Sequence, residues 1–227
     1  MVKRRAGDAF GESYTFPGGV VDADEFLARN HCDGVGADAA NALLKVSDAG
    51  LDFYSAAIRE LFEETGILLA REDGRWAVDS ADRQALRKKV DQSILAWPDF
   101  LNKQNLRMAC DAIHYFAYWE TPLELPKRWS TRFFLAGLPD GQDASHDCGE
   151  LTDIRWLTAA DALLAGRSGE MKIPFPTAAT LETLADFGTV ASMLDWADTR
   201  AQEGIDRIRP VMQNRDGQVE IIFPSEG

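Results

Sequence analysis

Between residues 53 and 65 the apolar residues Ile58, Leu61 and Phe62 recur at the spacing of one helix face, and Ile67 continues the apolar pattern. Asp52 stands where a helix cap belongs, and Gly66 stands where a helix stops. A second helical period runs from Ser80 to Trp97 through Leu86, Val90 and Ile94. Ile113 to Trp119, Arg132 to Leu138, Asp153 to Leu157 and Val219 to Phe223 read as strands, and Leu138-Pro139-Asp140-Gly141 as a turn. Thr158-Ala159-Ala160-Asp161 has the form of a capping box for a helix to about Ala165. Pro176 to Arg200 predicts one or two helices with Leu181, Leu184, Val190 and Leu194 inward. Residues 26–50 are rich in Ala, Gly, Asp and Asn and predict a loop with a short helix near Ala37 to Lys45. Strands mixed with helices in this order predict an α/β fold, an α/β/α sandwich on a mixed sheet.

The chain of 227 residues suits one domain, and a hydrophobic fraction of 45% is ample for a core. Its formal charge of −13 argues against a nucleic-acid backbone or an anionic membrane as partner. No apolar run approaches the roughly 18 residues of a spanning helix. Lys3-Arg4-Arg5 is followed by Gly7-Asp8 rather than by the apolar stretch of a signal peptide. Cys32, Cys110 and Cys148 are far apart and show no pairing or metal spacing, which predicts reduced thiols and a cytoplasmic chain. The Pro224-Ser225-Glu226-Gly227 end is not a peroxisomal address. Only 15 residues precede Phe16, so either the true start lies upstream or another segment covers the edge of the strand at Met1 to Arg5.

The chemistry concentrates in Arg-Glu-Leu-Phe-Glu-Glu-Thr-Gly-Ile, residues 59–67. Glu60, Glu63 and Glu64 stand at i, i+3 and i+4 and share one helix face. Carboxylates so close repel one another, and a hard divalent cation with a preference for oxygen ligands removes the conflict. The alternative is an exposed acidic face in an acidic chain; the apolar flanks of this helix argue against it. Lys127, Arg128 and Arg132 form a basic cluster between two candidate strands, suited to phosphate or to a charged surface. Trp119 and Trp129 suit either base stacking or packing on a sheet. His31, His114 and His146 lack metal-ligand spacing, and His114 reads as structural within an apolar strand. No Ser-His-Asp arrangement, phosphate-cradling P-loop or Rossmann glycine pattern is evident, so kinase and dehydrogenase readings have no support.

Upstream, Phe16-Pro17-Gly18-Gly19 is followed by Val20-Val21-Asp22-Ala23-Asp24-Glu25. Together with residues 59–67 these segments resemble the signature of the Nudix hydrolases. Gly19, five residues and Glu25 match its first half, and Arg59 to Ile67 match its second half at every fixed position. The short spacer usual between the halves is here 33 residues, Phe26 to Ile58. An insertion at this point is similar to that of the coenzyme A diphosphatase branch of the family. The likeness continues through Trp119-Glu120-Thr121-Pro122 and Arg128-Trp129-Ser130-Thr131-Arg132-Phe133-Phe134-Leu135, and covers about residues 2–200.

The resemblance implies one Nudix-like domain over residues 1–227, with an insertion at 26–58 and a helical C-terminal extension with a final strand from about 176. It implies Glu60, Glu63, Glu64 and the carbonyl of Gly18 as ligands for magnesium or manganese. Glu63 or Glu64, or the more distant Glu150, is the candidate base. Arg59 orients the helix by pairing with Glu25, for which Asp22 or Asp24 could substitute. Arg128, Arg132 and Trp119 are the candidate substrate contacts. The expected reaction is metal-dependent hydrolysis of coenzyme A or an acyl-coenzyme A to 3′,5′-ADP and (acyl-)4′-phosphopantetheine. ADP-ribose or a dinucleotide such as NADH is the alternative substrate, and a non-catalytic nucleotide-sensing module is the alternative of another class. The implied partner is a small nucleotide, and a homodimer stays open.

Overall fold

Residues 1–7, 11–146, 149–215 and 218–223 are described by a computed structural model. Asp147 and Cys148, and the Pro224-Ser225-Glu226-Gly227 end, lie outside the described residues. In chain order the elements are β1 (Val2–Arg4), β2 (Tyr14–Thr15), a 3₁₀ helix (Glu25–His31), β3 (Cys32–Asp33), α1 (Ala37–Leu44) and α2 (Gly50–Thr65). The hairpin β4 (Ala70–Glu72) and β5 (Arg75–Trp76) follows, then α3 (Ala81–Asp91), α4 (Trp97–Lys103) and β6 (Arg107–Ala109). Next come β7 (Ile113–Glu120), β8 (Ser130–Ala136), β9 (Leu151–Ile154), α5 (Ala159–Arg167), α6 (Phe175–Leu184) and α7 (Val190–Glu203). The short strands β10 (Arg207–Ile208), β11 (Val211–Arg215) and β12 (Gln218–Ile222) complete the order. Contacts divide the chain into two units, Met1–Ile113 with Ala136–Phe187, and His114–Leu135 with Gly188–Gly227. Among the described residues no helix is long and apolar enough to cross a membrane.

In the first unit β1 is antiparallel to β2 on one side and to β9 on the other, so neither edge of the N-terminal strand is open. The ladder to β9 shifts register between Lys3 and Arg4. A second sheet has the order β3-β6-β4-β5, with β3 parallel and β4 antiparallel to β6. The mixed pairing is of the kind expected, but the strands divide among several small sheets.

Helix α2 carries the acidic box on one face and buries the other. Ile58 and Phe62 are buried. The Phe62 ring stacks on Phe100 at 5.0 Å and lies 6.1 Å from Trp97, which stacks on Phe100 at 5.4 Å. Burial of each such ring is worth roughly 2–3 kcal/mol, so this trio fixes the rotation of α2 about its axis. The helix starts earlier than its sequence suggested. Its first residue is Gly50, where a side chain would collide with the backbone of α1 at Ala40 and Asn41. The N–H of Gly50 donates to Asn41 Oδ1 at 2.7 Å. Asp52 therefore lies inside the first turn, not at the cap, and pairs instead with Arg29 at 2.5 and 2.9 Å. Gly66 ends the helix as expected, with φ 76° and its N–H on the Phe62 carbonyl at 2.8 Å.

The period from Ser80 to Trp97 breaks in the middle. Ser80 caps α3 and Leu86 and Val90 are buried, but the chain turns at Ser93, φ 55°, leaving Ile94 70% exposed before α4 begins. Thr158 accepts from the Asp161 N–H at 3.1 Å and starts α5 as its box predicts. Strand β9 lies two to three residues earlier than expected, and Trp156 and Leu157 are exposed.

In the second unit β7 lies between β8 and β10, the latter parallel to it. Trp196 of α7 packs 5.9 Å from the Phe116 ring, and Arg200 Nε donates to the Phe116 carbonyl at 3.0 Å. Of the residues expected inward, Leu181 and Leu184 of α6, in the first unit, are buried, Leu194 is half-buried and Val190 is 59% exposed. Thr189 caps α7, which puts Val190 in a first turn open to solvent. The final strand is half of the antiparallel hairpin β11–β12. His114 pairs with Asp198 at 2.6 Å.

Gln142, between β8 and β9, is a buried clasp of the first unit. Its amide accepts from the Leu68 N–H at 2.7 Å and donates to the carbonyls of Leu68 and Ala77, each at 3.0 Å. Replacing it with leucine keeps the volume and leaves these backbone groups without partners. We expect Gln142→Leu to lower unfolding free energy by about 3 kcal/mol in urea titrations; a loss below about 0.5 kcal/mol would contradict the clasp.

Candidate active site

Arg59 is the centre of the site. Its side chain is only 7% exposed, and its nitrogens meet several groups at once. Nε donates to Glu25 Oε1 at 2.7 Å, and Nη1 lies 2.9 Å from Glu63 Oε2 and 3.1 Å from Glu60 Oε1. Nη2 donates to the Val20 carbonyl at 2.9 Å and lies 3.3 Å from Asp22. Glu25, 2% exposed, also accepts from Ser55 Oγ, which in turn accepts from Trp97 Nε1 at 3.2 Å. The upstream glutamate thus reaches Arg59 across the whole insertion. Ser55 and Trp97, which the sequence reading did not single out for the site, support it from below.

Glu64 faces the Pro-Gly-Gly turn. The Gly18 N–H donates to Glu64 Oε2 at 2.9 Å. Arg4 Nη2 is 3.0 Å from Glu64 Oε1 and donates also to the Gly18 carbonyl. A Cβ at Gly19 would collide with the Glu60 carboxylate, so this backbone approaches α2 as only glycine permits.

The carboxylates are buried beyond the usual for their type. The side chains of Glu60, Glu63 and Glu64 are 14%, 12% and 6% exposed. Burial pushes Glu63 up to about 7, against the pull of Arg59 and with the help of Glu60. Burial pushes Glu64 up to about 8, opposed by Arg4 and the Gly18 N–H and helped by Glu60 and Glu150. Burial also raises Glu60 and Glu25. Burial lowers the Arg59 guanidinium, but Glu60, Glu63 and Glu25 outweigh it and hold the group above its ordinary value.

Each carboxylate of the triplet faces an arginine, and among the described residues no three acidic, histidine or cysteine side chains close around one point. The donor set nevertheless fits magnesium or manganese. It consists of oxygens only, those of Glu60, Glu63 and Glu64 with the Gly18 carbonyl beside Glu64, and it carries more negative charge than Arg59 and Arg4 balance.

The remaining sequence candidates are placed as follows. Glu150 is 66% exposed, with Oε2 3.8 Å from Arg4 Nη1. Arg128 is exposed, and the Arg132 guanidinium lies over the Tyr118 ring at 4.5 Å, both in the second unit. Trp119 is buried against Phe223 at 5.8 Å; its ring packs inside its unit rather than offering a face to a ligand, because it points to the covered side of β7. Cys32 and Cys110, far apart in sequence, are brought together by the β3–β6 pairing, and the Cys110 thiol is raised by its hydrogen bond with Cys32 and by burial. Arg4 was missed as a site residue; its only signal was the basic run at residues 3–5.

The family profile of the NUDT19 Nudix domain matches residues 47–184. That span contains residues 59–67 but begins after Gly18 and Glu25, which the fold itself brings to the box. The human acyl-coenzyme A diphosphatase NUDT19 is 26% identical over 184 residues, covering 75% of this chain and 49% of that protein. Its Xenopus laevis counterpart is 29% identical over 182 residues, covering 73% and 48%. The putative nudix hydrolase 7 of Caenorhabditis elegans is 24% identical over 187 residues, covering 82% and 55%. The chain thus spans about half the length of these curated relatives. The crystal structure of a NUDIX hydrolase from Alicyclobacillus acidocaldarius superposes with a TM-score of 0.66 at 25% identity, over 86% of each chain.

The raised carboxylates give stability a pH dependence of definite sign. Between 4.5 and about 8 the folded chain holds a proton on Glu64 that the unfolded chain has released. Stability from this group is complete below that window and is lost as pH rises through it. In chelator, the melting temperature is expected to fall more steeply from pH 5 to 8 for the unmodified chain than for Glu64→Gln; parallel curves would contradict the shift.

Proposed function

We propose, since the chain belongs to the Nudix hydrolase family in its NUDT19 branch, that it hydrolyses the diphosphate bond of a nucleoside diphosphate derivative. We assign coenzyme A or an acyl-coenzyme A as that derivative, with 3′,5′-ADP and (acyl-)4′-phosphopantetheine as products. The observation that carries the reading is the arrangement of Glu60, Glu63 and Glu64 on one turn of α2, buried and organised by Arg59, Gly18 and Gly19. The printed names of the human and Xenopus laevis relatives support the choice of coenzyme A.

A diphosphate link is anionic and resists nucleophiles, so its cleavage requires positive charge on the non-bridging oxygens and an activated water. Magnesium or manganese, held by Glu60, Glu63, Glu64 and the Gly18 carbonyl, would supply that charge and a water of lowered pKa. The chain's own groups do the rest. Arg59 holds Glu63 and Glu60 in place through Nη1, and the Gly18 N–H fixes Glu64 through Oε2. Glu63 and Glu64, pushed up to about 7 and about 8, are suited to take a proton near neutral pH. Glu150 is a further acid at the edge of this arrangement, within 3.8 Å of Arg4. Arg128 and Arg132 are assigned to the substrate's phosphates, for which arginine offers two-pronged contacts.

Glu63→Gln or Glu64→Gln is expected to lower kcat by about a hundredfold or more while circular dichroism stays unchanged. A rate near that of the unmodified chain would remove the triplet from the chemistry. Chelator should abolish turnover and added magnesium or manganese restore it. Coenzyme A, acetyl-coenzyme A, ADP-ribose and NADH, assayed side by side with products weighed by mass spectrometry, should show the coenzyme A compounds cut fastest. Faster cleavage of ADP-ribose or NADH would keep the hydrolase and overturn the substrate. Arg128→Ala should raise KM more than it lowers kcat; an unchanged KM would return that side chain to the surface.

A further inference from the structure

Arg4 stands where the proposed metal chemistry leaves no role for an arginine. Its Nη2 donates to the Gly18 carbonyl and lies 3.0 Å from Glu64 Oε1. These are two of the oxygens assigned above to the divalent ion. Its Nη1 is 3.8 Å from Glu150, and the side chain is 18% exposed, so one flank of the guanidinium faces outward. The backbone that carries it is secured on both sides. The Arg4 N–H donates to the Ser13 carbonyl at 3.1 Å, the Arg4 carbonyl accepts from the Glu12 N–H at 3.0 Å, and the Arg5 N–H donates to the Glu150 carbonyl at 2.8 Å. The register shift of the β1–β9 ladder falls between Lys3 and Arg4. Such irregularities redirect a side chain from the regular alternation of a strand.

We propose that Arg4 is an exchangeable cation of this site. Without a divalent ion its guanidinium satisfies the Gly18 carbonyl and Glu64. When the ion takes those oxygens, the guanidinium is released, stays tethered on β1 within a side chain's length of the site, and binds the diphosphate. The inference rests on the metal-dependent reading of the preceding subsection. Its basis is competition: one guanidinium and one divalent ion cannot share the same two oxygens, and a unit positive charge a few ångströms away opposes ion binding strongly in a partly buried site. The same charge, once free of Glu64, suits a diphosphate oxygen.

The test compares the full chain with Arg4→Gln and with Lys3→Gln, which removes the same charge from the neighbouring residue of β1. Manganese binding is followed by electron paramagnetic resonance without nucleotide, and KM for coenzyme A is measured at saturating manganese. Arg4→Gln should bind manganese about tenfold more tightly, Lys3→Gln should not, and only Arg4→Gln should raise KM. Equal manganese affinity in Arg4→Gln and the unmodified chain, or weaker binding in Arg4→Gln, overturns the exchange. Equal tightening in Lys3→Gln also overturns it, since a general field would then be the cause. Tighter manganese binding with an unchanged KM overturns the transfer to the diphosphate. No manganese binding by any of the three proteins would instead sink the metal site itself, which separates the two failures.

Discussion

The guanidinium of Arg59 is shared by Glu25, Glu60 and Glu63 and by the carbonyl of Val20, all within 3.1 Å. A buried charge pair is retained only with close geometry and satisfied hydrogen bonds, and removal of one partner typically costs about 3–5 kcal/mol. Here the single cation serves three carboxylates, so it organises them without neutralising them. Arg4 adds a second cation for Glu64, and the balance stays negative. The raised pKa values of the glutamates express that excess as bound protons. A divalent ion would relieve it in another way, without protonating the groups that the chemistry needs ionised.

The same interaction explains how an insertion can sit inside the box without separating its halves. The chain leaves at Glu25 and returns at Arg59, and the ion pair between them closes the excursion. A second pair, Arg29 with Asp52, ties the end of the 3₁₀ helix to the first turn of α2. Asn41 holds Gly50, where the backbones of α1 and α2 meet. Loop closure costs little more for a long loop than for a short one, so with both ends fastened the extra length is tolerated. Buried Ser55 and Trp97 continue the support into the aromatic core that sets the orientation of α2.

Local patterns were legible in proportion to how far short-range physics decides them. The acidic face of α2, its stop at Gly66, the box at Thr158 and strand β7 depend on neighbours in sequence and stand close to where the pattern put them. The start of α2 was misplaced because Arg29, 23 residues upstream, takes the Asp52 carboxylate that would otherwise cap a helix. Ile94 and Val190 keep a helical period but lie beyond a turn and in a first turn, where the period no longer means burial. Arg4, Gln142 and the meeting of Cys32 with Cys110 arise from contacts between distant segments, and no local spacing encodes them. Glu25 was reachable only through the resemblance, since 33 residues of spacer hide its relation to Arg59.

The account as a whole depends on the oxygens around α2 being a seat for a divalent ion. Anomalous diffraction at the manganese edge, from crystals of the full chain grown with manganese, addresses this most directly. The account predicts a peak in coordinating contact with Glu60, Glu63 or Glu64 and the Gly18 carbonyl. Manganese bound only elsewhere, in crystals whose protein still cleaves coenzyme A when dissolved, would contradict it.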